Sequence, residues 1–166
     1  MAFGSVSSGA FDQPYANAQL VKISNLVDVS VPNWVTGDSD IVHDLFVCVY
    51  RQNVTDINRR YAIKAIGDGP GLELRSGFHK IPYTATWNDG GAGNPAGGRA
   101  APLLHDVKLL ARDKSFVNTD PPQDSSDCQG YSRPTSRLRI VISRTALDAA
   151  YDGVYSGALV LVLTPE

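Results

Sequence analysis

Charge of one sign, long apolar runs and cysteine are all scarce in this chain, and each scarcity closes off a class of function. The formal net charge is -2 over 166 residues, with basic and acidic residues interspersed. That leaves no basic patch for a nucleic-acid backbone and no acidic tail for a solvating role. No run reaches the roughly 18 apolar residues of a membrane-spanning helix, so the chain reads as soluble. The opening M-A-F-G-S-V-S-S-G-A lacks the basic start and long apolar stretch of a secretory signal. An exported protein would therefore be represented here by a processed piece carrying an added Met1.

The two cysteines, Cys48 and Cys128, stand far apart and have no His or Cys at motif spacing, which speaks against a metal or redox centre. Two readings remain: a pair of inert buried thiols, or one disulfide in an exported domain. Cys48 falls in a strand pattern and Cys128 in a polar loop just before another, a placement that favours the bridge. It would close a loop of roughly 80 residues, for which chain entropy gives ~4.5 kcal/mol, and would imply an oxidising compartment.

Convergent chemistry is scarce too. His43, His79 and His105 show no metal-ligand spacing and read as surface or loop residues, so no metal or other cofactor is expected. Asp44 beside His43 suggests a triad, but no serine occupies a nucleophile elbow, so the chain is expected not to be an enzyme. Gly67-Asp68-Gly69-Pro70-Gly71 and Gly90-Gly91-Ala92-Gly93 lack the lysine and Ser/Thr of a phosphate loop and read as turns. Asp120, Asp124 and Asp127 lack the alternation of a calcium loop. Asn53-Val54-Thr55 is a glycosylation sequon in form only. Trp34, Tyr83 and Trp87 could stack on sugars, though each lies in or next to a strand pattern where core packing is the ordinary role.

What the chain does have is 15 glycines, 10 prolines and 43% hydrophobic residues, the balance of an all-β domain with many turns. Residues 1–18 are rich in Ser, Gly, Ala and Asn and read as a flexible leader or interdomain linker; residues 19–166 read as one domain. A β-rich run from Leu20 to Trp34 contains Val27, Val29 and Val31 alternating with Asp28 and Ser30. Asp44–Arg51 is apolar on both faces and should be central. Arg60–Ile66 is a further strand, Leu72–Leu74 a short one before a tight reversal, and His79–Trp87 an alternating strand that Pro82 demotes to an edge or bulge. Pro102–Ala111 reads as strand, and Leu138, Ile140 and Ile142 mark a half-buried one. Thr145–Tyr151 reads as one helical turn capped by Ser143 or Thr145.

The final stretch, Gly153–Glu166, is the most informative. Tyr155, Gly157, Leu159, Leu161 and Leu163 share one parity, and Val154, Ser156, Ala158, Val160 and Val162 the other. Both faces are largely apolar, which suits a strand covered on two sides rather than a solvated edge. The best fit is a Greek-key sandwich of immunoglobulin type.

Three stretches together resemble a known family. L-F-V-C-V-Y around Cys48, I-P-Y-T-A-T-W-N-D from Ile81, and R-L-R-I-V-I-S followed by L-D-A-A-Y-D-G-V-Y-S-G-A-L-V-L-V-L-T-P-E are similar to pilin domains of chaperone–usher fimbriae. The likeness is greatest to the alpha-class tip subunits, the colonisation-factor and cable-pilus initiator group. The resemblance implies an immunoglobulin-like sandwich lacking its last strand, with residues 19–166 as the pilin domain. A donor strand would complete it, first from a periplasmic chaperone at an outer-membrane usher, then from the major pilin subunit. It also implies a groove bordered by Val27, Val29 and Val31 on one side and Leu159, Leu161 and Leu163 on the other, and a chaperone contact at Glu166. The even parity, Val160 and Val162, would need cover from a loop, a neighbouring subunit or a preceding domain. Residues 1–18 lack the alternating apolar arm of a shaft subunit, which suits a tip position: in transit through the periplasm, then at the extracellular fimbrial tip, with any host receptor bound through a preceding domain. The alternative is that this sandwich is itself a carbohydrate- or receptor-binding adhesin module, using exposed aromatics and the Asn88–Arg99 loop.

Overall fold

The strongest alternation in the chain builds its central strand. In the computed structural model, which describes residues 2–3, 20–31, 33–52, 61–97, 100–109, 128 and 132–165, Ile41–Gln52 forms β3. It lies between β2 (Leu20–Ser24) and β10 (Ser136–Ile142), and β10 continues the sheet through β7 (Thr84–Asn88) to β8 (Ala101–Leu103). Leu45, Val47 and Val49 are buried from β3, as are Leu138, Ile140 and Ile142 from β10. The opposite parity of β3 is less enclosed than its composition suggests: Cys48 is buried, but Phe46 is 43% exposed.

The second layer comes from β4 (Tyr61–Gly67), laddered to β12 (Leu159–Pro165) on one side and β9 (Lys108–Leu109) on the other. Beyond it, β11 (Ser156–Gly157) pairs with β5 (Glu73–Ser76), and β5 with β6 (His79–Pro82). One continuous core joins the layers, with Ile63, Leu74, Ile81, Leu159 and Leu161 against the residues of β3, β7 and β10. At its centre the Trp87 indole N–H donates to the Tyr61 hydroxyl at 3.1 Å. Burial holds the Tyr61 phenol well above its ordinary pKa, so it stays neutral and polar-satisfied in the core. The expected all-β immunoglobulin-like sandwich is the architecture observed.

Several boundaries differ from the sequence reading, each for a local reason. The run from Leu20 does not continue as one strand to Trp34. Asn25 adopts φ 66°, a left-handed conformation that Asn tolerates, and its side-chain amide donates to the Phe46 carbonyl at 2.8 Å. The His79–Trp87 segment changes sheets at Tyr83, whose N–H donates to the Leu72 carbonyl at 2.9 Å. Only β6, which carries Pro82, is an edge; β7 is paired on both sides by β10 and β8. The expected strand Pro102–Ala111 is divided, as far as Leu109, between β8 and β9, and residues 110–111 lie outside the described residues. Helix α1 spans Arg144–Asp148, shorter than the expected turn, with the Ser143 side chain accepting from the Ala146 N–H. Gln52–Asn58 beyond Gln52, Asp120, Asp124, Asp127 and residues 4–18 of the leader lie outside the described residues.

Cys48 and Cys128 are joined in a disulfide, with Cα atoms 6.0 Å apart and both side chains buried. The bridge ties β3 to the segment entering β10, where the Thr135 N–H donates to the Val47 carbonyl at 3.0 Å.

Candidate functional site

The two end strands of the main sheets define the site. β2 is terminal in the five-stranded sheet and β12 terminal in the β12–β4–β9 sheet. They lie beside each other in contact but share no ladder. β12 pairs antiparallel with β4 from Leu159 opposite Gly67 to Pro165 opposite Tyr61. Among the described residues, no strand pairs with the other edge of β12. The final stretch, apolar on both faces and implied by the resemblance to wall a groove, thus has one edge that meets no strand among the described residues. An edge of about seven residues turns roughly three backbone N–H and three C=O groups outward.

Side chains along the seam between β2 and β12 are apolar. Leu159 and Leu161 are each 1% exposed, and Leu163 is half-buried against the same core. Of the three valines expected to border the groove opposite them, Val29 and Val31 are buried, whereas Val27 is 52% exposed. Val21 and Ile23 of β2, which sequence reading did not single out, are half-buried and pack on the core beside them. Asn25 was the available signal, since a residue prone to the left-handed region separates β2 from the three valines. Val160 and Val162 are half-buried, and Glu166 lies outside the described residues.

The last strand is also interrupted. β11 and β12 are separated by Ala158, whose N–H donates to the Asp68 carboxylate at 2.7 Å instead of to a ladder. The Gly67–Gly71 turn thus anchors the beginning of β12. Gly157 packs closely here: a Cβ would lie 3.0 Å from the Glu73 carbonyl oxygen and 3.1 Å from Leu74 Cδ2, so a larger residue needs these neighbours to give by a few tenths of an ångström.

The other candidates are placed as follows. Asp44 sits opposite Arg139 on the β3–β10 ladder and accepts two hydrogen bonds from its guanidinium, each 2.7 Å, with Arg137 at 3.7 Å. Hydrogen bonding to Arg139, offset in part by burial, holds the Asp44 carboxyl below the usual carboxylate range. Because the folded pKa is depressed, the pair's stabilisation is present above the unfolded value of about 3.9 and is lost as pH falls through the folded value. Asp44→Asn should cost about 1 kcal/mol at pH 7, and denaturant titrations should show that difference shrink as pH falls below the unfolded value of about 3.9. His43 lies in β3, His79 stacks on Tyr151 with centroids 4.3 Å apart, and His105 Nδ1 accepts from the Gly67 N–H at 3.1 Å. Trp87 and Tyr83 are buried in the core, and Trp34 is half-buried with its indole N–H donated to the Ser39 carbonyl.

No family model matches the chain, and no curated protein matches it in sequence. In structure it is similar to a chain of the chaperone–tip adhesin complex of CFA/I fimbriae, with a TM-score of 0.59 and 14% identity. The match covers 88% of this chain and 41% of that one, so this chain spans less than half the length of the protein it resembles. The likeness is one of fold.

Proposed function

We propose that the chain is the pilin domain of a fimbrial tip subunit, of the alpha-class chaperone–usher type: a non-enzymatic assembly domain that accepts a donor strand and anchors an adhesin to the pilus. The observation that carries this reading is the edge of β12 that pairs with no strand among the described residues and lies beside the end strand β2. An extended peptide entering there would pair its backbone with β12 and place alternate side chains over Leu159, Leu161 and Leu163. The donor comes first from a periplasmic chaperone, with Glu166 as its expected contact, and after passage through the outer-membrane usher from a major pilin subunit. The protein then resides at the extracellular tip, and a preceding domain carries the host-receptor site. Fold likeness to a chain of a chaperone–tip adhesin complex supports this assignment.

The competing reading, a carbohydrate-binding module, loses Tyr83 and Trp87 to the core. It keeps Trp34, which lines a half-open cleft of about 330 Å³ with Tyr151 and Asp152. Titration of the chain with a ten-residue peptide carrying Val or Ile at every second position discriminates the two. At 100 times its Kd the peptide adds about 2.7 kcal/mol, which raises Tm by about 5–10 °C. The absence of any shift with such peptides, together with glycan binding lost on Trp34→Ala, would instead establish the carbohydrate module.

A further inference from the structure

The cleft of about 330 Å³ at the end of α1 is built by segments that the edge of β12 does not use. One wall is residues 33–36, closed into a turn from both ends. The Asp38 N–H donates to the Val35 carbonyl at 2.9 Å, and the Asp38 carboxylate accepts from the Val35 N–H at 3.1 Å. The other wall is the end of α1 and the bend after it. There the Ala150 N–H donates to the Leu147 carbonyl at 3.1 Å and the Tyr155 hydroxyl to the Tyr151 carbonyl at 3.0 Å. Ile81 of β6 and Tyr155, both buried, line the cleft from the core side. The chain leaving it enters β11, held on one edge by β5 and on the other by β1 (Ala2–Phe3). The cleft is therefore preorganised, and none of its described lining residues belongs to β2 or β12.

Its lining is aromatic and carries acid without base. Trp34 is half-buried with its indole N–H committed to the Ser39 carbonyl, and Tyr151 stacks on His79 yet stays exposed. Asp148 and Asp152 are the charged residues of the lining. Asp148 pairs at 3.3 Å with Arg144, one turn earlier on α1, whereas Asp152 meets no cation among the described residues. Around the mouth, Val35, Val154 beside Gly153, and Phe78 beside His79 are exposed. Ring faces attract a delocalised cation, and an Asp carboxylate matches the paired N–H groups of a guanidinium. An exposed apolar rim suits the dry surround of an interface anchor better than a free small ligand. We propose that this cleft is a docking site for an arginine side chain presented by a partner protein, seated against Trp34 and Tyr151 with Asp152 as its counter-ion. The charge distinguishes this occupant from a neutral sugar, for which the rings alone would serve. The surface is separate from the strand-accepting edge, and the inference stands whether or not that edge takes a donor.

The test is titration of the full chain with a capped hexapeptide, Gly-Ser-Leu-Arg-Gly-Ser, too short and polar to act as a strand donor, followed through the two indole N–H resonances. Trp34 reports on the cleft, and Trp87, buried in the core, is the internal reference. The peptide should move the Trp34 signal saturably and leave Trp87 in place. Replacing its arginine by citrulline, the neutral isostere, should weaken binding at least about tenfold, and Asp152→Asn and Tyr151→Ala should each weaken it about fivefold with the Trp87 signal unaltered. Tyr151→Ala keeps the main-chain carbonyl that Tyr155 uses. No saturable shift of Trp34 at millimolar peptide, equal affinity for the citrulline form, or unchanged affinity in Asp152→Asn overturns the proposal. So does a Trp34 shift saturated by maltose with no response to the arginine peptide, which makes the cleft a sugar site. Arginine-dependent shifts in a chain that takes up no donor strand support the docking site and remove only the acceptor role.

Discussion

Replacing both Cys48 and Cys128 by alanine should lower the unfolding free energy by about 4–5 kcal/mol and Tm by roughly 10–15 °C. The bridged residues are 80 apart in sequence. Cutting the link therefore returns a long loop to the unfolded chain, and loop entropy, not lost contact, supplies most of the effect. Both sulfurs are buried, so reductant should act on the native protein slowly and on the denatured protein fast. Denaturant titrations of the parent and the double variant, with matched slopes, measure the difference directly. A loss below about 1 kcal/mol would mean that the β3–β10 ladder already confines this connection in the unfolded ensemble.

The second large effect separates the two faces of the last strand. Leu161 is 1% exposed and lies opposite Ala65 on β4, whereas the neighbouring Val162 is half-buried and opposite Lys64. Leu161→Ala should cost about 3 kcal/mol through lost transfer energy and the cavity left behind, and Val162→Ala less than about 1 kcal/mol. Equal costs would show that the even-numbered face is covered as fully as the odd one, contrary to its half-buried valines. The comparison also calibrates the seam, because Leu161 belongs both to the core and to the wall that a donor strand would meet.

Period-2 alternation explains what was legible in the sequence. Leu45, Val47 and Val49, Leu138, Ile140 and Ile142, and Tyr155, Leu159 and Leu161 announce their buried parity because side chains report which face of a strand is covered. The same signal says nothing about edges. Whether backbone donors and acceptors find a partner leaves no trace in side-chain pattern, so Gly153–Glu166, apolar on both parities, reads as an enclosed strand although one of its edges meets no strand among the described residues. Boundaries were lost where side chains or backbone bonds redirect the chain over long distances. Asn25 bonds to Phe46, Tyr83 to Leu72 and Ala158 to Asp68, and each divides a run of continuous β composition. Val27 continues the alternation of Val29 and Val31 yet stands half exposed, because the break at Asn25 frees the segment from the strand geometry that would have aligned all three.

On the proposed function, the edge of β12 turned away from β4 accepts a strand. Amide hydrogen exchange, read residue by residue across Leu159–Thr164 with and without the donor peptide, tests it most directly. Alternate amides should already be protected through β4 and stay unchanged, while the intervening ones gain at least about 100-fold in protection when peptide is bound, as their opening becomes tied to its release. Peptide binding that leaves the intervening amides of β12 as they were would contradict the claim.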